Sequence, residues 1–184
     1  MNSPVPVRSV AYDKMAVGDF DSALAIFLDI FDGRDIEAAA CLGWLYLRKS
    51  SKNYNPAEAL KYYKIAAAGG DGAANYYVAN CLYKERRLNE ALASYMIAAD
   101  TGIAEGAFNA YKILRILGRP DEAIAMREKA INMGHAFAAR DRALEMMYGH
   151  RGLLKIPYGA LTLARLAPRI IRHAKTTVGY KQLK

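Results

Sequence analysis

Two interleaved series of small residues recur along the chain with a common period, and this constrains the fold more than any other feature. The first is a tripeptide: Ser22-Ala23-Leu24, Glu58-Ala59-Leu60, Glu90-Ala91-Leu92 and Glu122-Ala123-Ile124, with alanines 36, 32 and 32 residues apart. The second is Ala38, Gly72, Gly106 and Ala138, spaced 34, 34 and 32. Two alternating series with a period near 34 mean a pair of helices per unit. The runs starting at Asp71 and Glu105 match in type at most positions, and their alanine-rich composition has high helix propensity. A glycine follows each second helix (Gly33, Gly70, Gly102, Gly134), where a helix C-terminus favours the left-handed conformation. Asp21, Asn55, Asn89 and Pro120-Asp121 stand where the second helices begin, as caps or first-turn residues.

Ala38, Leu42-Gly43, Tyr46, a longer loop, then Ala59, Tyr62-Tyr63-Lys64, Ala66-Ala67 and Gly70 resemble one complete Sel1-like repeat. The run Gly102 to Asn109 resembles that family's link between units, and Gly134-His135-Ala136 restarts it. Gly18-Asp19-Phe20 with Ala23 and Phe27 resembles an ordinary tetratricopeptide turn. Only the second unit carries the longer Sel1-type loop, so both related families stay open. The resemblance covers about residues 11–148 and is strongest over 38–111. It implies an all-α, right-handed α-solenoid of about five helix-turn-helix repeats. The expected organisation is an N-terminal extension (1–10), a repeat array (11–149) and a basic amphipathic capping segment (150–184).

In the family the first helices line a concave groove. Carried over by position, the residue three after each anchor faces it: Cys41, Asn75, Asn109 and Asp141. Trp44, Val78 and Lys112, six after their anchors, lie one turn further along that face. An asparagine amide both donates to and accepts from a peptide backbone, which suits Asn75 and Asn109 to ligand contact. They equally suit hydrogen bonds between neighbouring helices.

The net charge of +8 is confined to one end. Residues 1–149 hold 18 basic and 18 acidic side chains; residues 150–184 hold Arg151, Lys155, Arg165, Arg169, Arg172, Lys175, Lys181 and Lys184 and no acid. Counted at about 100° per residue, Arg165, Arg169, Arg172 and His173 share one face, joined by Lys175 as a basic tail. Leu163, Leu166, Ala167, Ile170, Ile171 and Ala174 lie opposite. Gly159-Ala160-Leu161 falls where a fifth Ala-Leu pair is expected, and Pro168 is expected to kink the helix or start a second one. The tail serves as a cap, and its charge further suits an anionic membrane surface or an acidic protein. Nucleic acid ranks below these, because no recognised nucleic-acid module is visible.

Little in the chain points to chemistry. Cys41 and Cys81 sit in apolar stretches, as buried small hydrophobes do. His135, His150 and His173 stand apart from one another and from both cysteines, and His135 suits a helix-end role. No zinc spacing, phosphate loop or nucleotide fingerprint occurs, so no catalytic residue, metal or cofactor is expected. Met1 to Val10 lacks the apolar block of a secretory signal. The longest uncharged run, Gly72 to Tyr83, is too short to span a bilayer. A cytoplasmic location, with the tail peripheral to the inner membrane face, is expected. The functional expectation is a non-enzymatic adaptor or scaffold binding a peptide or protein in the groove. The resemblance adds a setting beside bacterial envelope or polysaccharide-assembly machinery. The alternative is a peripheral membrane or nucleic-acid binder acting through the tail. The oligomeric state is left open, since array ends and an apolar tail face can pair two copies.

Overall fold

The structure, a computed structural model, describes residues 7–148 and 156–182, with side chains of the last helix described over 157–172. Among the described residues there are ten helices and no strand: α1 (Val7–Ala16), α2 (Phe20–Ile30), α3 (Ile36–Tyr46), α4 (Pro56–Ala68), α5 (Gly72–Lys84), α6 (Leu88–Asp100), α7 (Ala104–Ile116), α8 (Pro120–Asn132), α9 (Ala136–Met147) and α10 (Ile156–Gln182). They pair as consecutive hairpins, each helix packing most extensively against its hairpin partner. Two compact units result: residues 1–103, with α1 to α6, and residues 104–184, with α7 to α10. Helix α1 starts at Val7, inside the stretch expected as an extension; residues 1–6 lie outside the described residues.

Helix starts follow local side-chain chemistry. Asn55 caps α4 by accepting from the Ala57 and Glu58 amides, and Asp19, Asp35 and Asp71 cap α2, α3 and α5. Asp21 and Asn89 fall within first turns, and Pro120 opens α8. Asp21 does more than expected: its carboxylate accepts from Ser51 Oγ at 2.6 Å and Asn53 Nδ2 at 2.9 Å, tying down the long connection between α3 and α4. That connection spans residues 47–55, whereas three other hairpins turn over 17–19, 85–87 and 117–119. Residues 149–155, including His150, Arg151 and Lys155, lie outside the described residues.

The buried positions repeat more regularly than the sequence series did. Ala23, Ala59, Ala91 and Ala123 are all buried, and four residues later come Phe27, Tyr63, Tyr95 and Arg127, also buried. In the first helices, Ala38, Gly106 and Ala138 are the third residues of α3, α7 and α9, but Gly72 is the first residue of α5. The matching third residue is Ala74, fully buried like Ala38 and Ala138. The corrected series, Ala38, Ala74, Gly106 and Ala138, has the same 36, 32, 32 spacing as the second-helix alanines.

Helix α10 packs on α9 through Gly159, where an added methyl group would stand 2.7 Å from the Ala143 carbonyl oxygen. The small position of this helix is thus Gly159, with Ala160 and Leu161 exposed, one residue out of the expected alignment. Leu163, Leu166 and Ile170 are half-buried as expected, but Ala167 and Ile171 are exposed. Pro168 starts no second helix; α10 continues through it to Gln182. Both Pro168 and Ala164 are exposed, so the carbonyl deprived of its donor can be hydrated. The side chains of His173, Ala174, Lys175 and Lys181 and the whole of Lys184 lie outside the described residues.

The three short turns place Gly18, Arg86 and Gly118 at one equivalent point, with φ of +81°, +62° and +70°. A side chain in that conformation costs about 1 kcal/mol or more. Arg86→Gly should therefore stabilise the protein by about 0.5–1 kcal/mol after the entropy of the unfolded glycine is counted. Thermal or urea unfolding should show a raised midpoint; an unchanged or lowered one contradicts this account of the turn.

Candidate functional site: two pockets on the first-helix faces

In the first unit, an open pocket of about 250 Å³ is lined by Met15, Ala40, Cys41, Trp44, Tyr63, Asp71 and Tyr77. Its aromatic wall is held from behind. The Arg48 guanidinium lies 3.8 Å from the centroid of the Trp44 ring, and Phe20 meets the indole edge-on at 5.6 Å. Tyr63 and Tyr77 stack at 4.9 Å across α4 and α5. The Asp71 carboxylate accepts from the Ala73 amide at 2.9 Å, so it is committed to the start of α5. Cys41 lies 3.5 Å from the Tyr12 hydroxyl, and burial pushes its thiol above the ordinary range. The thiol of Cys81 is raised for the same reason. Both therefore stay protonated near neutral pH, which makes them poor nucleophiles.

In the second unit, α7 and α9 form a pocket of about 500 Å³ lined by Tyr111, Arg115, Asp141, Leu144, Glu145 and Tyr148. It carries both signs of charge. Arg115 donates to the Tyr111 hydroxyl at 3.1 Å, and Asp141 accepts from Arg140 at 2.7 Å. Beside it, Lys112, Arg115 and Ile116 line a recess of about 380 Å³.

Behind this pocket stands a residue that the sequence reading missed. Arg127 is 0% exposed, yet it occupies the position filled by Phe27, Tyr63 and Tyr95 in the preceding repeats. Its Nη1 lies 2.6 Å from Glu145 of α9 and its guanidinium 5.7 Å from the Tyr111 ring centroid of α7. Glu128, beside it on α8, accepts from Arg142 of α9 at 2.6 Å. Burial alone would lower the pKa of Arg127; the hydrogen bond and charge of Glu145 more than offset this, and the net shift is upward. The signal was available in the repeat alignment, where a cation replaces an aromatic.

Within each unit, the expected groove residues take different places. Trp44 lines the first-unit pocket with Cys41. Asn75 is half-buried outside that lining, and Val78 is 5% exposed and belongs to the core. The cause is the register shift: with Ala74 as anchor, the groove positions become Tyr77 and Asn80, and Val78 aligns with buried Leu42 and Ala110. Asn80 is engaged, accepting from Tyr95 at 2.5 Å. In the second unit, Asp141 lines the charged pocket, Lys112 lines the neighbouring recess, and Asn109 accepts from Lys112 at 3.3 Å. Of the basic tail, Arg165, Arg169 and Arg172 are exposed. Arg169 and Arg172 wall a further recess of about 390 Å³ with Glu105, His135 and Phe137. His135 caps α9, its Nδ1 accepting from the Ala138 amide at 3.2 Å, and stacks on Phe108. Among the described residues no group of three or more His, Cys, Asp or Glu is placed to hold a metal ion.

Helix hairpins with a buried small residue in each second helix and pockets on the first-helix faces give an all-α helical-repeat fold of the kind seen in Sel1-like and tetratricopeptide proteins. Solved structures bear this out at the level of fold. The chain is similar to MamA (TM-score 0.67, 20% identity, covering 90% of this chain and 97% of that one). It is similar to a Sel1 repeat protein from Oxalobacter formigenes (TM-score 0.70, 17% identity, 90% and 69% covered). It is also similar to YrrB, described as a TPR protein with an unusual peptide-binding site (TM-score 0.64, 21% identity, 95% and 92% covered). No family model and no curated protein matches the chain.

Replacing Arg127 separates its two contributions. Arg127→Ala, which leaves a void and removes a 2.6 Å ion pair with Glu145, should cost about 3 kcal/mol in urea unfolding. Arg127→Tyr restores the aromatic of the other repeats and should cost less than about half as much, since half-exposed Glu145 can be hydrated. Equal losses would mean that the ion pair, not the filled volume, holds this position.

Proposed function

We propose that the protein is a non-catalytic adaptor that binds a peptide or protein segment on the first-helix faces of its repeats. The observation that carries this reading is the open aromatic pocket around Trp44. Open, ring-lined and about 250 Å³ in volume, it suits one large apolar side chain of a longer ligand. Trp, Tyr and Arg, the residues that concentrate binding energy at protein interfaces, make up its wall and backing. The charged pocket around Arg115, Asp141 and Glu145 suits a polar segment with charges of both signs. The peptide-binding site described for YrrB supports the same use of the fold here. The resemblance read from the sequence extends the proposal to a cytoplasmic scaffold serving bacterial envelope or polysaccharide-assembly machinery.

Trp44 is the sole tryptophan, so its fluorescence reports on the pocket directly. Peptides selected from a random library against the intact protein should carry a Leu, Met or aromatic anchor and shift the Trp44 emission. Tyr77→Ala should weaken such a peptide about tenfold, whereas Asn75→Ala, outside the lining, should change affinity by less than about twofold. Selected peptides that leave Trp44 emission unchanged and depend on Asn75 would refute this pocket as the site.

A further inference from the structure

Helix α10 turns an unusual face to solvent. Leu161, Ala164, Pro168 and Ile171 follow at three- and four-residue steps, and Leu161 and Ile171 are 48% and 53% exposed. At about 100° per residue these four fall within one outer arc, opposite the buried Gly159. The stripe is about 15 Å long at 1.5 Å per residue. Arg165, Arg169 and Arg172 occupy the adjoining arc, all exposed, so a basic flank runs beside an apolar strip.

We infer that α10 is an interfacial anchor: the strip from Leu161 to Ile171 enters the headgroup region of an anionic bilayer while the arginine flank binds lipid phosphates. The same helix of a second copy is a poor occupant of this face. Residues 150–184 contain no acid, so self-pairing of these helices brings arginines against arginines. A fluid apolar layer bordered by phosphates receives such an uneven strip without shape complementarity and meets the arginine flank with opposite charge. Lying in the interface, not across it, also fits the helix: no described helix is long and apolar enough to cross a membrane. Pro168 leaves the Ala164 carbonyl without its helical donor, which water and headgroups can satisfy but hydrocarbon cannot.

The test uses the full chain and sedimentation with two kinds of vesicle: pure phosphatidylcholine, and phosphatidylcholine containing roughly one third phosphatidylserine. Binding should be at least about tenfold stronger to the anionic vesicles. The combined change Arg165→Gln, Arg169→Gln, Arg172→Gln should remove most of it, and so should Leu161→Asn with Ile171→Asn. All five side chains are exposed or flank the exposed strip, and circular dichroism checks that each variant is folded. Equal binding to both vesicles, or none to either, overturns the proposal. Full binding by the Leu161→Asn, Ile171→Asn variant overturns it too, because the contact is then one of charge alone, as with an acidic protein or nucleic acid.

Discussion

At one point in each hairpin the two helices leave room for a methyl group or less, and the rest of the structure depends on that clearance. Ala23, Ala59, Ala91 and Ala123 fill it in the second helices, each at most 2% exposed. Gly159 takes the same place in α10, where even a methyl would meet the backbone of α9. The facing first helices show the same limit: a methyl on Gly43 would stand 2.9 Å from the Tyr63 ring. Larger side chains at such points force off-rotamer packing or backbone shifts costing about 1–3 kcal/mol. The large residues are displaced to neighbouring turns, and this is why an aromatic recurs four residues after the small one.

Arg127 shows what happens when that recurring volume is filled by a charged side chain. The guanidinium is large enough to replace the ring, but its charge must be met where water cannot reach. Glu145 meets it from α9, and Tyr111 of α7 offers its ring face. Three helices of the second unit are thereby tied to one cation. Such a pair adds little net stability against an apolar filling. It does fix Glu145 at the wall of the charged pocket, so packing and pocket electrostatics share one residue.

The period, the helical hairpins and the helix caps were legible in the sequence because alanine, glycine and capping residues act locally. The register of α5 was not. Gly72 looks like Gly106 by type, but it is the first residue of its helix and Ala74 is the third. A shift of two residues turns a helix by about 200°, which moved Val78 from the core to an expected groove and hid Tyr77. Spacing alone contained the correction, since Ala38, Ala74, Gly106 and Ala138 repeat the second-helix intervals. The face of α10 was half legible. Arg165, Arg169 and Arg172 are all exposed, but the turn at which α10 contacts α9 depends on Gly159, and that decides whether Ile171 packs or stays in water.

The two units use the same architecture for different surface chemistry, and the difference follows from what stands at equivalent positions. Three residues into the face after the small anchor come Cys41 and Tyr77 in the first unit, Asn109 and Asp141 in the second. Six residues in come Trp44 and Asn80, then Lys112 and Leu144. The first unit concentrates rings and sulfur there, with charges drawn off into caps, as with Asp71. In the second unit, charge enters even the core, through Arg127, and the pocket above it holds Arg115, Asp141 and Glu145. Apolar contact supplies affinity with little orientation, whereas opposed charges supply orientation with little affinity. The aromatic pocket therefore suits an apolar anchor, and the charged pocket a segment that carries charges of both signs.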